Sequence, residues 1–219
     1  MSAIEQGRSE RVVEAIRLME AADVTDVVDI HLSAMPGFFL SSLGTSFLKT
    51  YYASLIDDPT AIARVAIDSS GDVVGFAVGS MNPSGFYRRL LTRRWLAFAV
   101  ASVPGLLRNP GATWRIVRAT RYPSTQPHGD NLGGLYSIGV RSDTQGRGVG
   151  RTLVNAFLEE ARARGSSAVY LHADAEGNDG WNALLQKMGW RLESTFSTPE
   201  GRRMNEYWFV LEGEPNVAR

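Results

Sequence analysis

Three glycines in five positions, Gly146, Gly148 and Gly150, surround Arg147 and precede Arg151 in the stretch VRSDTQGRGVGR, residues 140–151. Glycine lets main-chain N–H groups come close to an anion. A helix start adds unpaired N–H groups and the positive end of the helix dipole, and the two arginines add charged donors. The chemistry these residues suit is phosphate binding. A nucleotide P-loop needs a lysine that is absent here, and the dinucleotide fingerprint needs a wider glycine spacing. A tight strand-to-helix turn without a ligand is the other reading.

The loop must be positioned by the elements around it. The apolar run LYSIGV (135–140) predicts a buried strand before it, and Val149, Leu153, Ala156, Phe157 and Ala161 predict an amphipathic helix from about 148 to 164 after it. Upstream, the pattern predicts a strand over 12–19, a helix over 22–35, a second helix over 45–56, and a hairpin of two strands over 61–69 and 72–81. Downstream it predicts a strand over 167–175, a short helix over 180–188 and a last strand over 204–211. A polar Pro- and Gly-rich connection fills 121–134. The expected organisation is a loose tail at 1–10, one domain over 11–212 and a tail at 213–219.

The pattern V-x(4)-Q-G-R-G-V-G-x-x-L, from Val140 to Leu153, resembles the acyl-CoA-binding motif of the GCN5-related N-acetyltransferase (GNAT) superfamily, and Asn178 to Gly189-Trp190 is similar to its C-terminal marker. The resemblance covers about residues 11–211. It implies an α/β (α+β) fold, a mixed and mostly antiparallel sheet flanked by helices, with a helical insertion between the third and fourth strands. It also implies that main-chain groups of Ile138, Gly139 and Val140 pair with the pantetheine arm of acetyl-CoA. Gln145, Gly146, Arg147, Gly148, Val149, Gly150 and Arg151 would hold the pyrophosphate, and Asn178 would bind near the thioester. A plain turn asparagine is the other reading of Asn178.

Two positions depart from the family pattern. Leu185 stands where a tyrosine commonly protonates the thiolate, and Gly134, or a residue close to it, stands where a glutamate commonly accepts the amine proton. Three histidines are available as replacements. His172 follows the motif helix on a strand beside the expected acyl group, and its ordinary pKa suits a general base; a histidine in a sheet is also commonly a packing residue. His31 and His128 are candidates for the acceptor side, and Tyr136 is a candidate proton donor or a core aromatic. No grouping of side chains has metal-ligand spacing.

The chain has 219 residues, no cysteine and formal net charge zero, which excludes a disulfide framework and a cysteine nucleophile. Its first residues carry scattered charges, so no secretory leader is expected, and a cytoplasmic location fits. Between Val73 and Gly129 there is no acidic residue and there are eight arginines. This basic insertion, 82–130, is expected to be helical with breaks at Pro104-Gly105 and Asn109-Pro110-Gly111. It reads as a lid for an anionic acceptor, as a membrane-facing surface anchored by Trp95, Phe98 and Trp114, or as a helical pair on the sheet edge. No nucleic-acid module is recognisable. The resemblance implies N-acetyl transfer from acetyl-CoA to a primary amine of a small molecule or amino sugar, by direct attack and without a metal. The alternative is an acyl-CoA-binding regulatory module of weak or no activity.

Overall fold

The computed structural model describes residues 13–36, 38–108, 131–198 and 201–211. It begins with strand β1 (Val13–Leu18), α1 (Val24–Ala34), a single-turn α2 (Phe39–Ser42) and α3 (Thr45–Ile56). The antiparallel strands β2 (Ala61–Asp68) and β3 (Val73–Ser80) follow, then α4 (Phe86–Arg93) and α5 (Trp95–Arg108). The second half comprises β4 (Leu132–Val140), α6 (Val149–Ala163), β5 (Ala168–Asp174), α7 (Asp179–Lys187), β6 (Arg191–Ser197) and β7 (Arg203–Val210).

These strands form one seven-stranded sheet in the order β1-β2-β3-β4-β5-β7-β6. Every neighbouring pair is antiparallel except β4 and β5, which are joined through the α6 crossover. Their parallel pairing runs only from Leu132–Leu135 against Ala168–Leu171. At the next residue β4 shifts register against β3, because Val78 pairs with Ser137 and Gly79 with Leu135, so that Tyr136 is the extra residue. Such a bulge bends a strand and increases its twist. Beyond it Ser137–Val140 stays on β3, His172–Asp174 stays on β7, and the two strands part.

The two faces of the sheet are covered differently. On one face α6 seats Val149, Leu153, Val154, Phe157 and Ala161 in a core shared with both halves of the sheet, including Val74, Leu135, Val169, Leu171 and Tyr207. On the other, α1 and α3 cover β2 and β3 through Val27, Val28, Leu48, Tyr52 and Phe76. The far strands carry there only a small cluster of Leu132, Ala168, Tyr170 and Trp208. That imbalance leaves room beside β5 and β7.

Four expectations need correction. A seventh strand, β6, lies between the short helix and the last strand; it is an outer edge whose residues are nearly all exposed, so it carries no alternating apolar signal. Strand β4 begins at Leu132, inside the expected polar connection, because Gly133 pairs with β5 and Gly134 with both β3 and β5 rather than turning. Helix α5 continues through Pro104-Gly105, since a proline removes one N–H from the ladder but does not force the chain to stop. The described part of the insertion packs on α3 through α5 rather than on the sheet edge, and Phe98 is no membrane anchor: it is buried 5.2 Å from the Phe47 ring. Arg94 pairs with Asp57, and Arg89 donates to the carbonyls of Asn82 and Ser84. Trp114, His128 and the break at 109–111 lie outside the described residues. Among the described residues no helix is long and apolar enough to cross a membrane.

Candidate active site

The parting of β4 and β5 opens a cleft of about 1060 Å³. Its floor is the second half of β4, whose backbone has no strand partner on the β5 side. The glycine loop and the start of α6 close one end, β5 forms a wall, and α7 runs along the cleft with Trp181 beside Gly150.

The loop geometry follows from its glycines. Gly146 and Gly148 have φ of 77° and 83°, a left-handed conformation that costs other residues about 1–2 kcal/mol each. An added Cβ would meet nothing within 4 Å at either position, so backbone conformation rather than crowding calls for glycine there. Gly148 is the residue that precedes α6, and the first turn of α6 has no acidic side chain. Such a turn aims backbone N–H groups into one concavity and is suited to an anion. Of the residues expected to hold a cofactor, Ile138, Gly139, Val140, Gln145, Gly146, Gly148, Val149, Gly150, Arg151 and Asn178 line the cleft. Arg147 is exposed and does not line it.

His172 lines the same cleft from β5. Its ring nitrogen Nε2 lies 3.1 Å from Oε2 of Glu206, the residue directly opposite it on β7. The indole N–H of Trp208 donates to the other oxygen, Oε1, at 2.8 Å. The hydrogen bond with His172 and that from Trp208 hold the Glu206 carboxyl below its usual range, against the opposing effect of burial. Nothing in the sequence flagged Glu206, which is 34 residues from its partner; a charged residue inside the otherwise apolar β7 run was the available signal.

Further along this wall Arg202 makes a two-pronged ion pair with Asp174, with Nη2 2.6 and 2.7 Å from the two carboxylate oxygens. The same guanidinium lies 4.4 Å from the ring centre of Phe38, just before α2. Through Arg202 the segment before α2 is thus linked to β5, and Phe38 and Asp174 both line the cleft.

The other candidates are placed elsewhere. His31 is 1% exposed in the core under α1 and does not line the cleft. Its Nδ1 is 2.6 Å from the Tyr52 hydroxyl, and burial pushes its pKa down to about 4. Leu185 is wholly buried with Phe157 and Trp190 in the α6-side core, so the position is a packing site here. Gly134 has no side chain because the Tyr136 ring lies over it: an added Cβ would meet Tyr136 Cε1 at 2.7 Å. Tyr136 lines the cleft and packs against Phe86 at 4.9 Å between ring centres. Among the described residues no cluster of His, Asp and Glu suits a metal.

The acetyltransferase (GNAT) family model matches residues 25–190. The chain belongs to the GNAT family. It is similar to a Staphylococcus aureus N-acetyltransferase, at 16% identity and a TM-score of 0.61 over 90% of this chain and 98% of that one. A Salmonella typhimurium acetyltransferase solved with its cofactor acetyl-CoA gives 15% identity and a TM-score of 0.59, over 93% and 97% of the two chains. These likenesses are of fold. In sequence, a mycothiol acetyltransferase of Saccharopolyspora erythraea is 44% identical over 69 residues, 32% of this chain and 21% of the relative. A mycothiol acetyltransferase of Streptosporangium roseum is 39% identical over 71 residues. The matched part of this GNAT chain thus spans about a fifth of the length of these curated relatives.

Proposed function

We propose that this GNAT acetyltransferase moves an acetyl group from acetyl-CoA to a primary amine of a small molecule by direct attack. The observation that carries the reading is the parted β4–β5 pair. It opens a single cleft with a glycine-built anion cradle at one end and a histidine–carboxylate pair at the other. The partial likeness to mycothiol acetyltransferases agrees with a small-molecule acceptor.

Backbone groups of Ile138–Val140, left unpaired on the β5 side, suit the amide-bearing arm of the donor, and the loop over Gln145–Arg151 suits its pyrophosphate. Acetyl-CoA supplies the thioester carbonyl: the amine nitrogen bonds to it, the C–S bond breaks, and CoA leaves as a thiolate. His172 accepts the proton that the amine must lose, either from the ammonium before attack or from the nitrogen as the new bond forms. That proton then passes to the thiolate or to solvent. With no cysteine in the chain, an acyl-cysteine route is unavailable.

A screen of primary amines with purified protein and acetyl-CoA, read as amine-dependent thiol release, tests the reading. Turnover above the hydrolysis background is expected, together with calorimetric acetyl-CoA binding. Binding without turnover for any amine would favour the regulatory-module alternative, and absence of binding would overturn both.

A further inference from the structure

The environment of His172 is more specific than a general base requires. Glu206 faces it across the β5–β7 ladder, Trp208 fixes the second carboxylate oxygen, Phe196 of β6 packs edge-on at 5.0 Å, and Tyr170 packs at 5.6 Å between ring centres. The remaining charged neighbour on its own strand, Asp174, is engaged by Arg202. Glu206 is therefore the carboxylate left to act on the imidazole.

An ionised carboxylate only accepts hydrogen bonds, so Nε2 must carry the hydrogen that it shares with Glu206. In the neutral ring the lone pair then belongs to Nδ1. Among the described residues none hydrogen-bonds Nδ1.

From this arrangement we infer that Glu206 is a positioning residue for acetyl transfer. It holds His172 in the tautomer whose Nδ1 accepts the amine proton, and it stabilises the imidazolium that results. Trp208 holds Glu206 in turn. The inference rests on His172 as the base, and the balance is that of the proposed reaction: one proton passes from the amine nitrogen to Nδ1 and then to the departing thiolate or solvent.

Nitrogen NMR of the full chain labelled in its histidine rings reads this directly and needs no acceptor. His172→Ala identifies the signals. In the unsubstituted protein the Nε2–H form of His172 is expected to dominate at neutral pH. In Glu206→Gln, which keeps the shape and removes the charge, the Nε2–H proton resonance of His172 is expected to move upfield, because its hydrogen bond loses an ionised acceptor. Trp208→Phe is expected to move it in the same direction by less, and it carries the test if the glutamine variant does not fold. An Nδ1–H form in the unsubstituted protein, or an unmoved Nε2–H resonance in a folded variant, overturns the inference. Full amine-dependent turnover in His172→Ala, with the NMR results as expected, overturns the catalytic role of both residues while leaving the donor-binding reading intact.

Discussion

The two ends of the cleft are made of different materials. The α6 end is main chain, a turn whose capacity for an anion comes from glycine conformations at Gly146 and Gly148 and from a helix start. The β5 end is side chain, with His172 held by Glu206 and Asp174 held by Arg202, each pair spanning separate parts of the sequence. A site made of backbone tolerates changes in side-chain chemistry and fails when its dihedral angles are lost. A site made of side chains fails one functional group at a time.

That difference can be broken experimentally from either end. The largest effect is expected from His172→Ala, which should lower kcat by about a hundredfold or more while leaving the acetyl-CoA Kd within about twofold. Steady-state kinetics beside calorimetry checks it. Next, replacing Gly146 and Gly148 together by valine should weaken acetyl-CoA binding by about thirtyfold or more in calorimetry, since each left-handed residue then carries a backbone penalty. The converse result, loss of donor binding in His172→Ala with the double valine variant unaffected, would reverse the assignment of the two ends.

A smaller effect separates His31 from the site. Its folded pKa of about 4 lies below the ordinary value, so between that value and about 6.5 the unfolded chain binds the extra proton. Stability is then complete above about pH 6.5 and is lost as pH falls towards 4, by up to about 3 kcal/mol. Denaturant unfolding as a function of pH should show this fall, and His31→Phe should flatten it. The smallest effect belongs to Gly150→Ala. Its added methyl would sit at ordinary contact, 3.6 Å from Trp181 and 3.8 Å from Val140, and donor binding should change by less than about twofold.

The same contrast explains what could be read from the sequence. The backbone end is local: strand, turn and helix lie in one stretch of 135–164, and periodicity alone places α3 at Thr45–Ile56, where the structure has it. The side-chain end is assembled across strands, so His172 stood out as one of three histidines while Glu206, Arg202 and Phe38 did not stand out at all. Tyr136 was legible as an aromatic in a strand but not as the bulge that parts β4 from β5, because a register shift depends on the partner strand. Strand β6 escaped notice because an outer edge with little burial need not alternate.

The short β4–β5 pairing also has a mechanical meaning. The sheet is two antiparallel plates, β1–β4 and β5–β7, joined along a seam four residue pairs long, with α6 packed across both. It is the shortest junction in the sheet, since every antiparallel neighbour pair holds five to seven paired residues. The gap that makes room for a ligand thus lies where the two plates share the fewest main-chain pairings, and the α6 core carries more of the task of holding them together there.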